Sequence, residues 1–405
     1  MRVISVVLFC HFLTAFTALG MPLFLPRMLT SLGVSSSGYL IGIMFVLPTI
    51  CAALTAPWWG RFADKFGKKT SLLRAQVGLV AGFLLSGFAD SIWWFAAGLI
   101  LQGISGGTLA ASNAYLSRLF KDKELANSLN LTQSSARLAL VCAPIALGLF
   151  THIQDPLMIY RALALLPLLA FLVCWRLPDD TKLADTRAYG STKSAAKPGK
   201  LTAKAAVISS QALNSEEKRP FSHLLWLQFL FCFAMVVTFP YFLLYSEQLG
   251  TQSDALSGFY YSLPHLVYLL FAFQAKKLTW SAKQQTQLGF ALLGLACFGQ
   301  FLLVESSWLI ALRLLFGFGM VLIFSGLHLF VSQRISQKQA GLSFGRFDAW
   351  GKWAGVLAGV GASYASQWGS LHWPFLLAAL SCGLGLLVLM FFFNEVQDHV
   401  GTTQS

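Results

Sequence analysis

The sequence predicts an all-α membrane protein: twelve transmembrane helices in two pseudo-symmetric six-helix bundles around a central cavity. Three observations predict it. Hydrophobic residues make up 56% of the 405 and charged residues only 11%, with a mean hydropathy of +0.65, whereas a soluble domain carries roughly a quarter charged residues. Twelve apolar stretches each reach about the 20 residues that cross a bilayer. The two halves also echo each other at an offset of about 214–218 residues. Pro22-Leu-Phe-Leu25 with Leu32-Gly33 recurs as Pro240-Tyr-Phe-Leu243 with Leu249-Gly250. Trp94 with Gln102-Gly103-Ile-Ser-Gly106 recurs as Trp308 with Phe316-Gly317-Phe-Gly319. Each echo is weak alone; the common offset points to a duplicated unit, and repeated halves place a binding site at the midplane between them.

The N-terminal bundle (1–177) holds spans near 3–25, 37–58, 70–89, 92–116, 126–150 and 157–177. The first apolar run could pass for a signal peptide, but it continues to Leu25 and is read as span 1. A polar linker (178–222) follows, rich in Ala, Ser, Thr and Lys, the composition of a loosely ordered cytoplasmic segment. The C-terminal bundle (223–394) holds spans near 223–246, 256–275, 286–304, 308–331, 343–366 and 373–393, before a short tail (395–405). Cations set the orientation. Arg27 is the only Lys or Arg in an odd-numbered loop, whereas the even loops carry Arg61, Lys65, Lys68 and Lys69, then Arg118, Lys121 and Lys123, then Lys276, Lys277 and Lys283, then Arg334 and Lys338. Both termini are therefore expected in the cytoplasm.

The same pattern excludes other classes. A net charge of +13 suggests nucleic acid in a soluble protein; here the cations alternate by loop, so no nucleic acid is expected. The seven cysteines all lie in apolar runs without metal-ligand spacing, as small buried hydrophobes do. Gly67-Lys68-Lys69-Thr70 lacks the upstream glycine of a phosphate-binding loop, since Phe62 stands there. No catalytic constellation is visible, so neither an enzyme nor a cofactor is expected, and an ion gradient is the expected energy source.

Between spans 2 and 3 stands Gly60-Arg-Phe-Ala-Asp64-Lys65-Phe-Gly67-Lys68-Lys69. A cytoplasmic loop alone explains its cations but not Asp64 or the spaced glycines. The stretch resembles the loop motif of the major facilitator superfamily of secondary transporters, matching G-x-x-x-D-[RK]-x-G-[RK]-[RK] at every constrained position. The resemblance implies that Asp64 latches the cytoplasmic helix ends together in the outward-facing state, with Arg118 and the start of span 11 as candidate partners. Two further signatures are damaged. The span-4 pattern R-x-x-x-G reads Leu99-Ile-Leu-Gln102-Gly103, its Arg appearing instead in Arg313-Leu-Leu-Phe-Gly317, and the span-5 antiporter pattern survives only as Ala143-Pro144-Ile-Ala-Leu-Gly148.

Charges inside spans cost at least about 2.5–3.5 kcal/mol each at the bilayer centre and therefore mark candidate sites. Arg137 in span 5 and Lys352 in span 11 are 215 residues apart, matching the repeat. Asp348 lies one turn before Lys352 on the same helix face. Two readings stand: an internal Asp348–Lys352 pair with Arg137 bonded to carbonyls, or a cationic midplane pocket for an anionic group. His11, Thr14, Asn113 and His265 are further candidates for substrate binding, and Asp348, Arg313 and His328 for proton coupling; a lone helical His is more often a packing residue. The leading expectation is a monomeric, proton-coupled exporter of a small, partly anionic organic molecule (drug, metabolite or siderophore) in a bacterial inner membrane. Uptake of such an anion by proton symport is the alternative, and a non-transporting sensor or scaffold is the alternative from another class.

Overall fold

In the computed structural model, residues 2–34, 38–120, 122–178, 221–275, 277–334 and 340–393 are described. The expected linker, apart from its ends, and the C-terminal tail lie outside them, as do the side chains of Arg118 and Asp348. The described residues form twelve helical columns without a strand. Eight columns are long and apolar enough by themselves to cross a membrane.

Column 1 is α1 (Arg2–Gly20), a 3-10 turn (Met21–Phe24) and α2 (Leu25–Ser31). Column 7 repeats this design with α10 (Phe221–Val236), a turn at Pro240, and α11 (Phe242–Gln248). Proline cannot continue the backbone ladder, so each column bends near its end. Both then stop on the same cap. Gly33 and Gly250 sit at φ 74° and 87°, a region costly for any residue with a Cβ. Val34 N donates to Leu29 O and Gly33 N to Thr30 O; Thr251 N donates to Ser246 O and Gly250 N to Glu247 O. These paired bonds form the Schellman motif. The Leu-Gly echo is thus a repeated helix stop.

Columns 2 and 3 are α3 (Tyr39–Phe66) and α4 (Lys68–Gly87). The cationic motif differs from its expected form as a loop: α3 runs helically through it to Phe66, and the connection is Gly67 alone, at φ 95°. Long charged side chains keep their heads in water while their stems cover a helix, so a charged helical end needs no loop. Column 4 is also not continuous. It divides into α5 (Ile92–Ser105) and α6 (Thr108–Leu119), with Gly107 left-handed between them. The carbonyls exposed by the break are taken by side chains: Trp59 Nε1 donates to Ile104 O at 2.6 Å and Arg74 Nη1 to Ser105 O at 3.1 Å. The Arg74 guanidinium lies 3.3 Å over the Trp59 ring, a cation–π stack. Columns 5 and 6 are α7 (Asp122–Gly148) and the pair α8 (Met158–Leu163) and α9 (Leu165–Trp175).

The second half continues with α12 (Asp254–Ala275), α13 (Ala282–Leu302), α14 (Leu309–Arg334), α15 (Ala340–Trp368) and α16 (Trp373–Phe392). Within each half the third and fourth columns pack on small residues. A Cβ on Gly82 would lie 2.6 Å from Gln102 Cγ, and one on Gly289 would lie 2.6 Å from Ile323 Cγ1. Between halves, α7 packs on α12 and α3 on α15.

Candidate functional site

The two halves close against each other at the face of the odd loops. Gly42 of α3 meets α15 so closely that a Cβ there would fall 2.6 Å from Gly359 O, and one on Gly258 of α12 would fall 2.2 Å from Pro144 O of α7. Polar contacts reinforce this closure. Tyr241 Oη donates to Gly38 O at 2.8 Å, and Trp368 Nε1 donates to Tyr39 Oη at 2.8 Å. Arg27 bridges from the first half to the second: its Nε and Nη2 each lie 2.9 Å from one Asp254 oxygen, and Nη2 reaches Glu247 at 3.3 Å. The Asp254 side chain is 4% exposed and His152 Nε2 stands 3.8 Å from it. This two-toothed, charge-assisted geometry is the strong form of an ion pair.

Behind this closure lies a cavity of about 560 Å³ between the halves. Met44, Phe45, Phe239 and Tyr261 give it apolar and aromatic walls, and Gln102, Gln228 and Lys352 contribute polar groups. The break between α5 and α6 borders it through Gly106, Gly107 and Thr108. A second cavity of about 480 Å³ lies towards the cation-rich face, between α7, α12 and α14, with Asn130, Gln133, Tyr268, Phe324 and His328 among its walls.

Arg137 stands between the two cavities. It crosses from α7 to the second half, where Nη1 donates to His265 Nδ1 at 3.1 Å. Its guanidinium lies 4.8 Å over Tyr268 and 5.7 Å from the Phe324 ring centre, both walls of the second cavity. His265 packs on Phe239 and Tyr261, both walls of the first. Because Arg cannot accept a hydrogen bond, His265 presents a bare Nδ1 and carries its proton on Nε2. Arg137 and Lys352, expected to face one space, are therefore divided: Lys352 lines the central cavity, and Arg137 forms part of the partition.

The other expected residues fall into place by contact. His11 Nδ1 bonds Ser135 Oγ at 3.2 Å, tying α1 to α7, and Thr14 Oγ1 donates to Cys10 O of its own helix at 2.6 Å. Both are buried and line neither cavity. Asn113 Oδ1 accepts from Thr132 Oγ1 at 2.8 Å, joining α6 to α7. His328 lines the second cavity with its ring 4.5 Å from that of Phe324. Asp348 lies on α15 one turn before Lys352, its side chain outside the described residues. Arg313 is fully buried and donates to Tyr260 O and Tyr261 O, each at 3.0 Å. In the cationic motif, Asp64 is 72% exposed and pairs with Lys68 one turn on. Lys65 lies over the Phe66 ring, Lys69 is in the first turn of α4, and a Cβ on Gly60 would meet nothing within 4 Å.

Sequence reasoning missed the Arg27–Asp254–Glu247 cluster. Its signal was present: Arg27 is the single cation of the odd loops, and Asp254 and Glu247 flank the start of span 8.

Two helical halves, closed at one face over an inter-half cavity, define a membrane transporter. The chain belongs to the Major Facilitator Superfamily, whose profile matches residues 7–306. Curated relatives include a multi-drug resistance efflux pump PmrA homolog of Lactococcus lactis, 35% identical over 28% of this chain and 29% of that protein. Another is the multidrug resistance protein MdtG of Yersinia enterocolitica, 37% identical over 26% of each chain. These matches thus span less than a third of the relatives' length. The crystal structure of a D-xylose–proton symporter superposes with a TM-score of 0.78 at 13% identity, covering 98% of both chains. That of a POT family transporter with 5-aminolevulinic acid gives 0.74 at 14% identity, covering 96% of both. At such identities the likeness is one of fold.

Proposed function

We propose that this protein exports a small, partly anionic organic molecule by alternating access, driven by a proton gradient across a bacterial inner membrane. The observation that carries this reading is Lys352 on the wall of the central cavity, among apolar and aromatic side chains. A cation in a chamber with mainly apolar and aromatic walls suits an amphipathic anion, whose apolar body fills the walls while its charge meets Lys352. Because Arg137 is engaged with His265, one carboxylate fits this chamber better than the several of a polycarboxylate siderophore. The cation-rich face is the cytoplasmic one on the positive-inside rule, with both termini on it. The described state is then closed outside and positioned to load from within. The efflux named for the relatives supports the outward direction.

Asp348, one helical turn before Lys352 in α15, is the proposed proton carrier. Everted membrane vesicles energised by a proton gradient test both claims. They should accumulate an aromatic monocarboxylate dye, and Asp348→Asn should abolish that accumulation while leaving dye exchange intact. Accumulation of the dye in right-side-out vesicles instead would reverse the direction and establish uptake.

A further inference from the structure

We propose that Arg313 is a positioning residue that fixes the bend of α12 by taking the carbonyl that Pro264 leaves free together with the next one along the helix. Proline at 264 has no N–H, so the carbonyl four residues earlier, Tyr260 O, loses its helical donor, and the ring pushes that carbonyl aside. The next bond of the ladder, Tyr261 O to the amide of residue 265, lies at the same bend. Arg313 reaches from α14 to these two oxygens, Nε to Tyr260 O and Nη2 to Tyr261 O, both at 3.0 Å. The fork of the guanidinium matches two adjacent carbonyls in a way that a single ammonium does not. Its Nη1 has no hydrogen bond among the described residues, and the guanidinium lies 4.6 and 4.9 Å from the ring centres of Phe242 and Phe316.

The consequence reaches the cavity. Tyr261 is a wall of the central chamber, and His265, one residue after the proline, meets Arg137. The bend therefore sets the wall and the partition together. The first half has a parallel device, in which Arg74 takes Ser105 O at the break between α5 and α6, beside the same chamber. In both halves a guanidinium closes a fault in a helix that borders the chamber. Arg313 stands where its repeat counterpart is Leu99, and an intramembrane cation there reads as a proton-coupling group from sequence alone. Bonded to two carbonyls and fully buried, it takes a structural task instead.

The role of the bend in transport rests on the export reading above; the clamp itself does not, and a stability cycle separates the two. Full-length Arg313→Met, Pro264→Ala and the double variant are purified in detergent and melted without substrate. Arg313→Met should lower Tm by at least about 3 °C. Pro264→Ala restores a donor for Tyr260 O, so adding Arg313→Met to it should cost under half as much. Equal losses in both backgrounds, or a wild-type Tm for Arg313→Met, would overturn the clamp. Should Arg313→Met fail to insert, recovery of folded protein in the double variant makes the same test. In everted vesicles, Arg313→Lys should raise KM for the monocarboxylate dye severalfold at an unchanged pH optimum. A displaced pH optimum with unchanged KM would place Arg313 in the proton route and defeat the positioning role. Absence of dye transport by the wild type would count against the export reading and leave the melting cycle to decide the clamp.

Discussion

Asp254→Asn should open the odd-loop face. The carboxylate accepts two guanidinium N–H groups at 2.9 Å from the opposite half, and its side chain is 4% exposed. Removing one partner of a fully buried pair costs about 3–5 kcal/mol. Arg27 retains 25% exposure and a second, weaker partner in Glu247, so solvent and Glu247 relieve part of the loss, and about 2–3 kcal/mol is expected. Every 1.4 kcal/mol is tenfold in an equilibrium, so the ratio of closed to open molecules should fall roughly 30- to 150-fold. Spin labels on the exposed odd-loop positions Asp90 and Glu305, one in each half, read the opening as a longer inter-label distance. Glu247→Gln should shift the distribution much less, because that contact is longer and half exposed. The exchange Arg27→Asp with Asp254→Arg should restore the closed distance. An unchanged distribution in Asp254→Asn would refute the gate, and failure of the exchange would reduce the pair to ordinary packing.

Three other perturbations test neighbouring parts. Gly258→Ala places a Cβ 2.2 Å from Pro144 O, so it should prevent close approach of α12 to α7 and hold the odd-loop face open, read by the same labels. Asp64→Asn should retain folding and insertion, since the Asp64 side chain is 72% exposed, while dye transport falls because the pairing of the other state is lost; normal transport by a well-expressed variant would remove the latch. Lys352→Gln should weaken dye binding by about 1.5–2 kcal/mol, the lower part of the range for a hydrogen bond to a charged group because Lys352 is exposed to the cavity. Calorimetric titration with the dye and its neutral amide checks that the loss is confined to the anion.

The helical architecture was legible because membrane solvation leaves little choice: backbone groups in hydrocarbon must pair within their own segment, so apolar length becomes helix. The Leu32-Gly33 and Leu249-Gly250 echo was legible for a second reason, since a left-handed cap is a local demand on one residue. The break at Gly107 was not, although two glycines stood in the open. A Gly-Gly pair in an apolar run also suits a continuous, closely packed helix, and donors far away in sequence, on Trp59 and Arg74, make the break tolerable. The site was legible as a set of residue types and not as a set of contacts. The repeat offset linked Arg137 and Lys352, yet a long side chain spans several ångströms, and Arg137 uses that reach to find His265 across the interface.

Arg27 shows how an exception to a topological rule carries structural information. Cations are scarce in odd loops because that side does not retain them during insertion, so an isolated one there demands a local reason. In this fold the reason is Asp254, itself too deeply covered to stay charged without a partner. The two residues come from different halves, so each satisfies the other only while the odd-loop face is closed. Opening that face exposes both to water, which solvates them in place of the lost pair. On the export reading, the closed state therefore gains a finite, local ion-pair energy that water largely replaces in the open state, and a gate of this strength would be opened by the modest differential binding energy of a small molecule. A large apolar seal in the same position would have no such compensation on opening.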